Sequence, residues 1–189
     1  MAGMSDEQIR AASVGGAPPE YLEIVVADYD PEWPRWFDRA AEGIRAALGE
    51  GALEIHHVGS TSVPGLAAKP LIDINLVVAD TTDEDAYVPK LETAGYVLRV
   101  REPDWFEHRL LRGYDPPVQV HGFPPECPEV EQMLLFRDWL RTNDADRELY
   151  ARAKRDLAVQ EWKYVQNYAD AKTDVVQEII GGARAAPAD

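Results

Sequence analysis

The sequence predicts an α+β fold, a mixed β-sheet packed with helices and followed by a C-terminal helical extension. Three observations carry that expectation. The stretch from Glu54 to Val78, EIHHVGSTSVPGLAAKPLIDINLVV, reads as strand, bend and strand. Between Tyr96 and Phe123 short apolar runs alternate with period two and are separated by turn residues. Beyond Pro124, Pro125 and Pro128, apolar residues recur at three- and four-residue spacing.

Taken in order, residues 1–19 are rich in Ala, Gly, Ser and Pro and read as a flexible leader with at most one helical turn around Asp6–Ala12. Tyr21–Ala27 is a short β-branched strand, and Asp28-Tyr29-Asp30-Pro31 is a turn whose aspartate can cap the following helix. Trp36, Phe37, Ala40, Ile44, Ala47 and Leu48 then mark one helix face, which Gly49 ends. A second helix spans Thr82–Ala94, with Tyr87, Val88, Leu91 and Ala94 inward. Strands follow at Tyr96–Val100, Trp105–Arg112 and Val118–Phe123, the last two pairing as a hairpin. Helices Glu129–Thr142, Ala145–Ala158 and Lys172–Ile180 complete the chain, Asn143-Asp144 capping between the first two. The expected organisation is a core over 20–126, an extension over 127–181 packed on it, and a flexible tail over 182–189.

Composition narrows the function classes. The 189 residues carry 19 basic and 34 acidic side chains, a formal net charge of -15, which disfavours nucleic acid and anionic membranes as partners. A single cysteine, Cys127, makes no intramolecular disulfide. With no long apolar run and no basic-then-apolar start, the expected location is the cytoplasm.

The bend carries the chemistry. Gly59 has no Cβ, so backbone there can approach a ligand, and Ser60, Thr61 and Ser62 with their N–H groups can form an anion-binding nest. Asp73 and Asn75 lie two apart on the next strand and share a face. An acid in so apolar a run either serves a ligand or is paired within the protein. Lys69 stands at the strand entrance, placed for phosphate or for a surface ion pair. His56 and His57 lie on opposite faces of the first strand and receive no chemical role.

The segments DYDPEWP, HHVGSTSVPGLAAKPLIDI, LFRDWLR, ELYARAKRDLA and YADAK resemble the GrpB family, a branch of the nucleotidyltransferase superfamily that also contains DNA polymerase beta. The likeness runs from about Tyr21 to about Ile180. It implies the nucleotidyltransferase fold, with Gly59 and Ser60 gripping a triphosphate and carboxylates on the following strands holding Mg²⁺. Two such ions can stabilise the attacking and leaving oxygens of an in-line transfer. Asp73 matches the first of those acids; Asn75, with a neutral carbonyl oxygen, stands where the superfamily has the second. The strand of the third acid has none and offers Gln119 and His121 instead. His121 matches a family histidine and reads as a hydrogen-bonding residue, a ligand or a base. Arg109 could present its guanidinium to a nucleotide or form an exposed ion pair. Arg137 and Asp138 read as fixing the extension to the sheet. Tyr168 and Lys172 match the family's YxxxK element, Lys172 reaching the cleft or capping a helix.

The resemblance thus implies nucleotidyl transfer from a Mg²⁺-bound nucleoside triphosphate to a small-molecule acceptor. Catalysis would fall to Asp73, Asn75 and His121, metal to Asp73 and Asn75, and binding to Gly59, Ser60, Thr61, Ser62, Lys69, Arg109 and Lys172. Two alternatives stand beside it. One is a nucleotide- or metabolite-binding module without turnover. The other is an accessory interaction protein linked to coenzyme A metabolism, since GrpB-like domains occur fused to dephospho-CoA kinase.

Overall fold

The computed structural model describes residues 3–16, 18 and 23–186. Five strands form one sheet: β1 (Glu54–Val58), β2 (Ile72–Val77), β3 (Val97–Glu102), β4 (His108–Tyr114) and β5 (Pro117–Phe123). Their order across the sheet is β1-β2-β5-β4-β3. Only β2 and β5 run parallel, and Asp73 and Asn75 sit opposite Gln119 and His121 in that pairing. The other three pairings are antiparallel, so the sheet is mixed, as predicted.

One face of the sheet is the main core. Ile72, Ile74, Leu76, Leu111 and Val120 alternate onto it and meet α2 (Trp33–Leu48) and α3 (Glu84–Thr93). Helix α2 starts where Asp30 Oδ1 accepts from the Glu32 N–H at 2.8 Å, presents Trp33, Ala40, Ala41, Ile44 and Leu48 inward, and stops at Gly49 with φ 57°. A left-handed C-terminal glycine is a common stop because it carries no Cβ penalty.

The opposite face is shared by apolar packing and a cavity. Val77 and Phe123 pack against Cys127 and Val130, the last on α4 (Pro128–Thr142). Helices α5 (Asp144–Ala158), α6 (Val165–Asp170) and α7 (Thr173–Ala185) complete the extension. Its own core, Leu140, Tyr150 and Ile179, closes on Val63 and Leu66 of the bend between β1 and β2. The bend is therefore held from outside the sheet, by the extension.

Several elements differ from expectation. Residues 6–12 of the expected leader form α1 (Asp6–Ala12), opened by a capping box between Ser5 and Gln8 and anchored by buried Ile9. Ser13 then bridges to Val100 beside β3. Of the predicted strand Tyr21–Ala27, residues 21–22 lie outside the described residues, and residues 23–26 form no strand. Ala27 alone makes an isolated bridge to Ala68, so this run pairs with the bend and not with the sheet. The predicted turn at 101–104 sits later, because β3 continues to Glu102 and β4 starts at His108. Helix α7 passes Gly181 and Gly182 to reach Ala185; residues 187–189 of the expected tail lie outside the described residues. Among the described residues no helix is long and apolar enough to cross a membrane.

Candidate functional site

A cavity of about 920 Å³ lies between the sheet and the extension, with α1 along one side. Its walls include Gly59, Ser60, Thr61, Lys69, Asp73, His121, Lys154 and Lys172.

The bend meets the strand at Gly59. Its φ of 67° is left-handed, and a Cβ placed there would overlap the Asp73 carboxylate and come within 3.0 Å of Asp73 Cβ. Both conformation and space call for glycine. The chain then winds through one 3₁₀ turn, Ser60–Ser62, in which the Ser62 and Val63 N–H groups donate to Gly59 O and Ser60 O at 3.3 and 3.2 Å. The Ser62 hydroxyl donates to Gly59 O at 2.6 Å, so Ser62 closes the turn and does not line the cavity. Thr61 is buried; its hydroxyl donates to Leu71 O at 3.3 Å and accepts from His57 Nε2 at 3.1 Å. His57 is itself stacked on Phe37, ring centroids 4.7 Å apart, and burial pushes its imidazole down to about 4. It braces the turn as a neutral donor.

Asp73 projects into the cavity with its side chain 28% exposed, its Oδ1 3.5 Å from His121 Nε2. Three lysines converge on it from different elements. Lys69 comes from the end of the bend, Lys154 from α5, and Lys172 from the residue before α7. Burial lowers the ammonium of each below its ordinary range, while Asp73 acts in the opposite direction on all three. For Lys154 the balance lies at about 7. Its ammonium donates to Ala67 O and lies 4.6 Å from the Tyr150 ring centre. Lys172 sits 4.5 Å over the Tyr168 ring, so the two residues of the YxxxK element do meet, although a helix break separates them. Lowered lysine values of this kind follow from desolvation and mutual repulsion, which a bound anion relieves.

Besides Ser62, two predicted site residues are placed elsewhere. Asn75 shares the Asp73 face but is 0% exposed, lies outside the cavity wall, and leaves both amide atoms without a hydrogen-bond partner among the described residues. Arg109 alternates onto the α3 side of the sheet, where its Nε donates to Glu84 Oε1 at 2.7 Å and its Nη1 to Glu107 O at 2.9 Å. The expected phosphate contact of Arg109 is replaced by an ion pair that ties β4 to α3.

The donor set does not fit two protein-held magnesium ions. Mg²⁺ takes octahedral oxygen ligands, whereas the Gly59 end of the cavity offers one carboxylate, Asp73, amid three ammonium groups. Among the described residues no three His, Cys, Asp or Glu side chains are grouped to share a metal.

Sequence reasoning singled out neither Lys154 nor His108. The signal for Lys154 is its place on an inward α5 stripe with Tyr150 and Leu157, where a lone cation asks for a partner. His108 is buried behind His121 by Trp105 and Phe123, neighbours that no local residue pattern shows.

The chain matches the family model described as GrpB protein over residues 23–181. It is 55% identical over 181 residues to the UPF0157 protein BH1888 of Halalkalibacterium halodurans, covering 96% of this chain and 93% of that protein. It is 33% identical to a dephospho-CoA kinase of Mycolicibacterium paratuberculosis over 80% of this chain but only 41% of that one. Among solved structures, the conserved protein GrpB from Enterococcus faecalis superposes with a TM-score of 0.70 at 30% identity, covering 84% of this chain and 96% of that one. The GLD-2/RNP-8 complex shares the fold at a TM-score of 0.54 and 11% identity, over 85% of this chain and 62% of that one. The superposition on the Enterococcus faecalis GrpB protein and the match to the family model over residues 23–181 agree: this chain belongs to the GrpB family.

Proposed function

We propose that the cavity binds a nucleoside triphosphate and that the protein transfers its nucleotidyl group to a small-molecule hydroxyl. The observation that supports this reading is the convergence of Lys69, Lys154 and Lys172 on Asp73 beside the Gly59–Ser60 bend. Three ammonium groups suit the charge of a polyphosphate, which develops further on the leaving pyrophosphate during transfer. Away from the lysines the wall turns apolar, with Trp105, Leu110, Met133 and Phe136, a surface for a base or another flat group. A net charge of -15 favours a small acceptor over a nucleic acid. Because Asn75 is sealed and a single acid serves the lysine end, charge neutralisation falls to the lysines. The same observation favours a second reading, a binding module without turnover.

Thermal denaturation against the four nucleoside triphosphates and inorganic tripolyphosphate tests the first step. A ligand present at 100 times its Kd stabilises by about 2.7 kcal/mol, so a melting rise of several degrees is expected. A phosphate needs Lys154 charged, and its ammonium value lies at about 7. Binding therefore takes up a proton, and the shift should be larger at pH 6.5 than at pH 8.5. Lys154→Gln should abolish both the shift and its pH dependence. No shift with any ligand would refute the nucleotide site; a shift without pyrophosphate release in the presence of candidate acceptors would leave the binding module.

A further inference from the structure

Behind His121 the cavity wall continues into a row of hydrogen-bonding groups that the family resemblance does not assign. His121 Nδ1 lies 3.1 Å from His108 Nε2, and His108 Nδ1 lies 2.7 Å from Glu102 Oε2. The two rings are inclined by only 25° with centres 5.2 Å apart. With nitrogens at 3.1 Å this is an edge-to-edge contact, as an N–H···N bond requires. His108 is fixed by aromatic neighbours, the Trp105 and Phe123 rings lying 4.8 and 4.9 Å from its own. Hydrogen bonds run from Glu102 at the end of β3 through His108 to His121, whose Nε2 then stands 3.5 Å from Asp73 in the cavity.

Its proton positions follow by elimination. A carboxylate only accepts, so the hydrogen between Glu102 and His108 belongs to His108 Nδ1. Burial pushes the His108 imidazole down to about 4 against the pull of Glu102, so near neutral pH it carries that one proton and no other. His108 Nε2 is then a bare acceptor, and the donor facing it is the Nδ1–H of His121. The remaining nitrogen of His121, Nε2, makes no hydrogen bond to Asp73, whose Oδ1 lies 3.5 Å away, so no donor is required of it and it is left facing the cavity. The other charged groups nearby do not enter the row. Arg109 is engaged by Glu84 on the far side of the sheet, and Glu129 of α4 acts on His121 only through its charge.

We infer that Glu102 and His108 are positioning residues that lock His121 in its Nδ1–H tautomer, presenting Nε2 to the cavity as the proton acceptor of the transfer reaction. This rests on the nucleotidyl-transfer reading and supplies it with a base. The acceptor hydroxyl gives its proton to His121 Nε2 as its oxygen bonds to the α-phosphorus. The bond from that phosphorus to the bridging oxygen breaks, and pyrophosphate leaves with the electron pair. The resulting imidazolium lies between the Asp73 carboxylate and the His108 lone pair, so no group need move to stabilise it. A base held by an orienting partner, itself held by a carboxylate, is a recurring device of proton-transfer sites.

Long-range ¹H–¹⁵N correlation spectra of the ligand-free chain at pH 7.5 read the tautomers directly. The four histidines are assigned by single substitution. His108 and His121 should both show Nδ1–H, the form less favoured by a free histidine side chain in water. Glu102→Ala frees His108 to move its proton to Nε2, where it would donate to His121 Nδ1, and His121 should shift to Nε2–H. His108→Phe, which suits the Trp105 and Phe123 packing, should release His121 in the same way. Nε2–H on His108 in the unmutated chain, or a His121 tautomer unmoved by either substitution, would overturn the inference. These spectra need no nucleotide, so they stand or fall separately from the thermal shifts.

Discussion

Asp73 and Asn75 show how two residues on one strand face acquire different fates. Asp73 lies opposite Gly59, where the missing Cβ leaves room for a carboxylate and an opening to the cavity. Two positions on, Asn75 is enclosed at 0% exposure, paired in register with His56 on one side and His121 on the other. Its amide has no partner among the described residues, and an unsatisfied buried polar group costs about 1–3 kcal/mol. Restoring an acid there by Asn75→Asp therefore places a charge inside the protein, not a ligand in the cavity. The variant should lose about 3 kcal/mol of stability at pH 7. A sealed carboxylate has a raised folded value, so the penalty is full well above the ordinary carboxylate range and fades as pH falls towards it. Urea unfolding of both chains at pH 7 and pH 4.5 measures this, and Mg²⁺ should not restore the loss. The resemblance put Gly59 and Asp73 at one site, and the register that sets Val58 beside Asp73 brings them together. The sequence could not expose the enclosure of Asn75, which depends on how closely the extension covers the sheet.

At the scale of elements, α4 determines the shape of the bend although it lies about eighty residues away in sequence. Arg137 Nη1 donates to His57 O at 3.0 Å, and Arg141 donates from Nε and Nη2 to Ser62 O at 3.1 and 2.8 Å. Asp138 neutralises both cations, accepting from Arg137 at 2.7 and 2.9 Å and from Arg141 at 3.2 Å. The arginines thus satisfy carbonyls that a tight bend cannot pair within itself. Replacing Arg141 by Met keeps the stem and removes the donors. The expected cost is about 1–2 kcal/mol in urea unfolding, with a larger proportional loss in the nucleotide-induced melting shift, because the freed Ser62 carbonyl lets the Ser60–Ser62 turn relax. Equal losses in both would mean that α4 only stabilises the chain. The sequence supported a fixing role for Arg137 and Asp138, but the targets are backbone carbonyls, which leave no mark in a residue pattern. For a related reason α6 was missed: at six residues it is too short to show a period, and Lys172 closes the site from the break that follows it.

In the whole molecule, the mixed sheet and the β4–β5 hairpin were legible from alternation and turn residues, while the strand order was not, because it rests on the parallel pairing of β2 with β5 that brings His121 beside Asp73. The sheet also buries a histidine on each side, His57 of β1 against α2 and His108 of β4 behind His121, each with its imidazole pushed down to about 4 by burial. The consequence for stability has a definite sign. Above the unfolded value of 6.5 both states hold these rings neutral and they add nothing to the pH dependence, which there belongs to Lys154: held at about 7 in the folded chain against 10.5 unfolded, it makes stability fall as pH drops towards 7. Between 6.5 and about 4 the unfolded chain binds protons that the folded chain refuses, so stability falls as pH falls. Two such groups give a slope on the order of 2–3 kcal/mol per pH unit within the window. Two effects act the other way: burial raises the Glu129 carboxyl, and protonation relieves the self-repulsion of a chain with net charge -15. Both grow mainly near the carboxylate range, so the histidine loss should dominate from pH 6.5 to about 5. Urea unfolding in half-unit steps from pH 8 to pH 4.5 should show a first decline down to about pH 7, set by Lys154, and a second, steeper one below 6.5, set by the two histidines. His108→Phe, which leaves one refusing ring, should halve the slope below 6.5 without moving its onset, and a flat profile below 6.5 would show that both rings accept protons in the folded state.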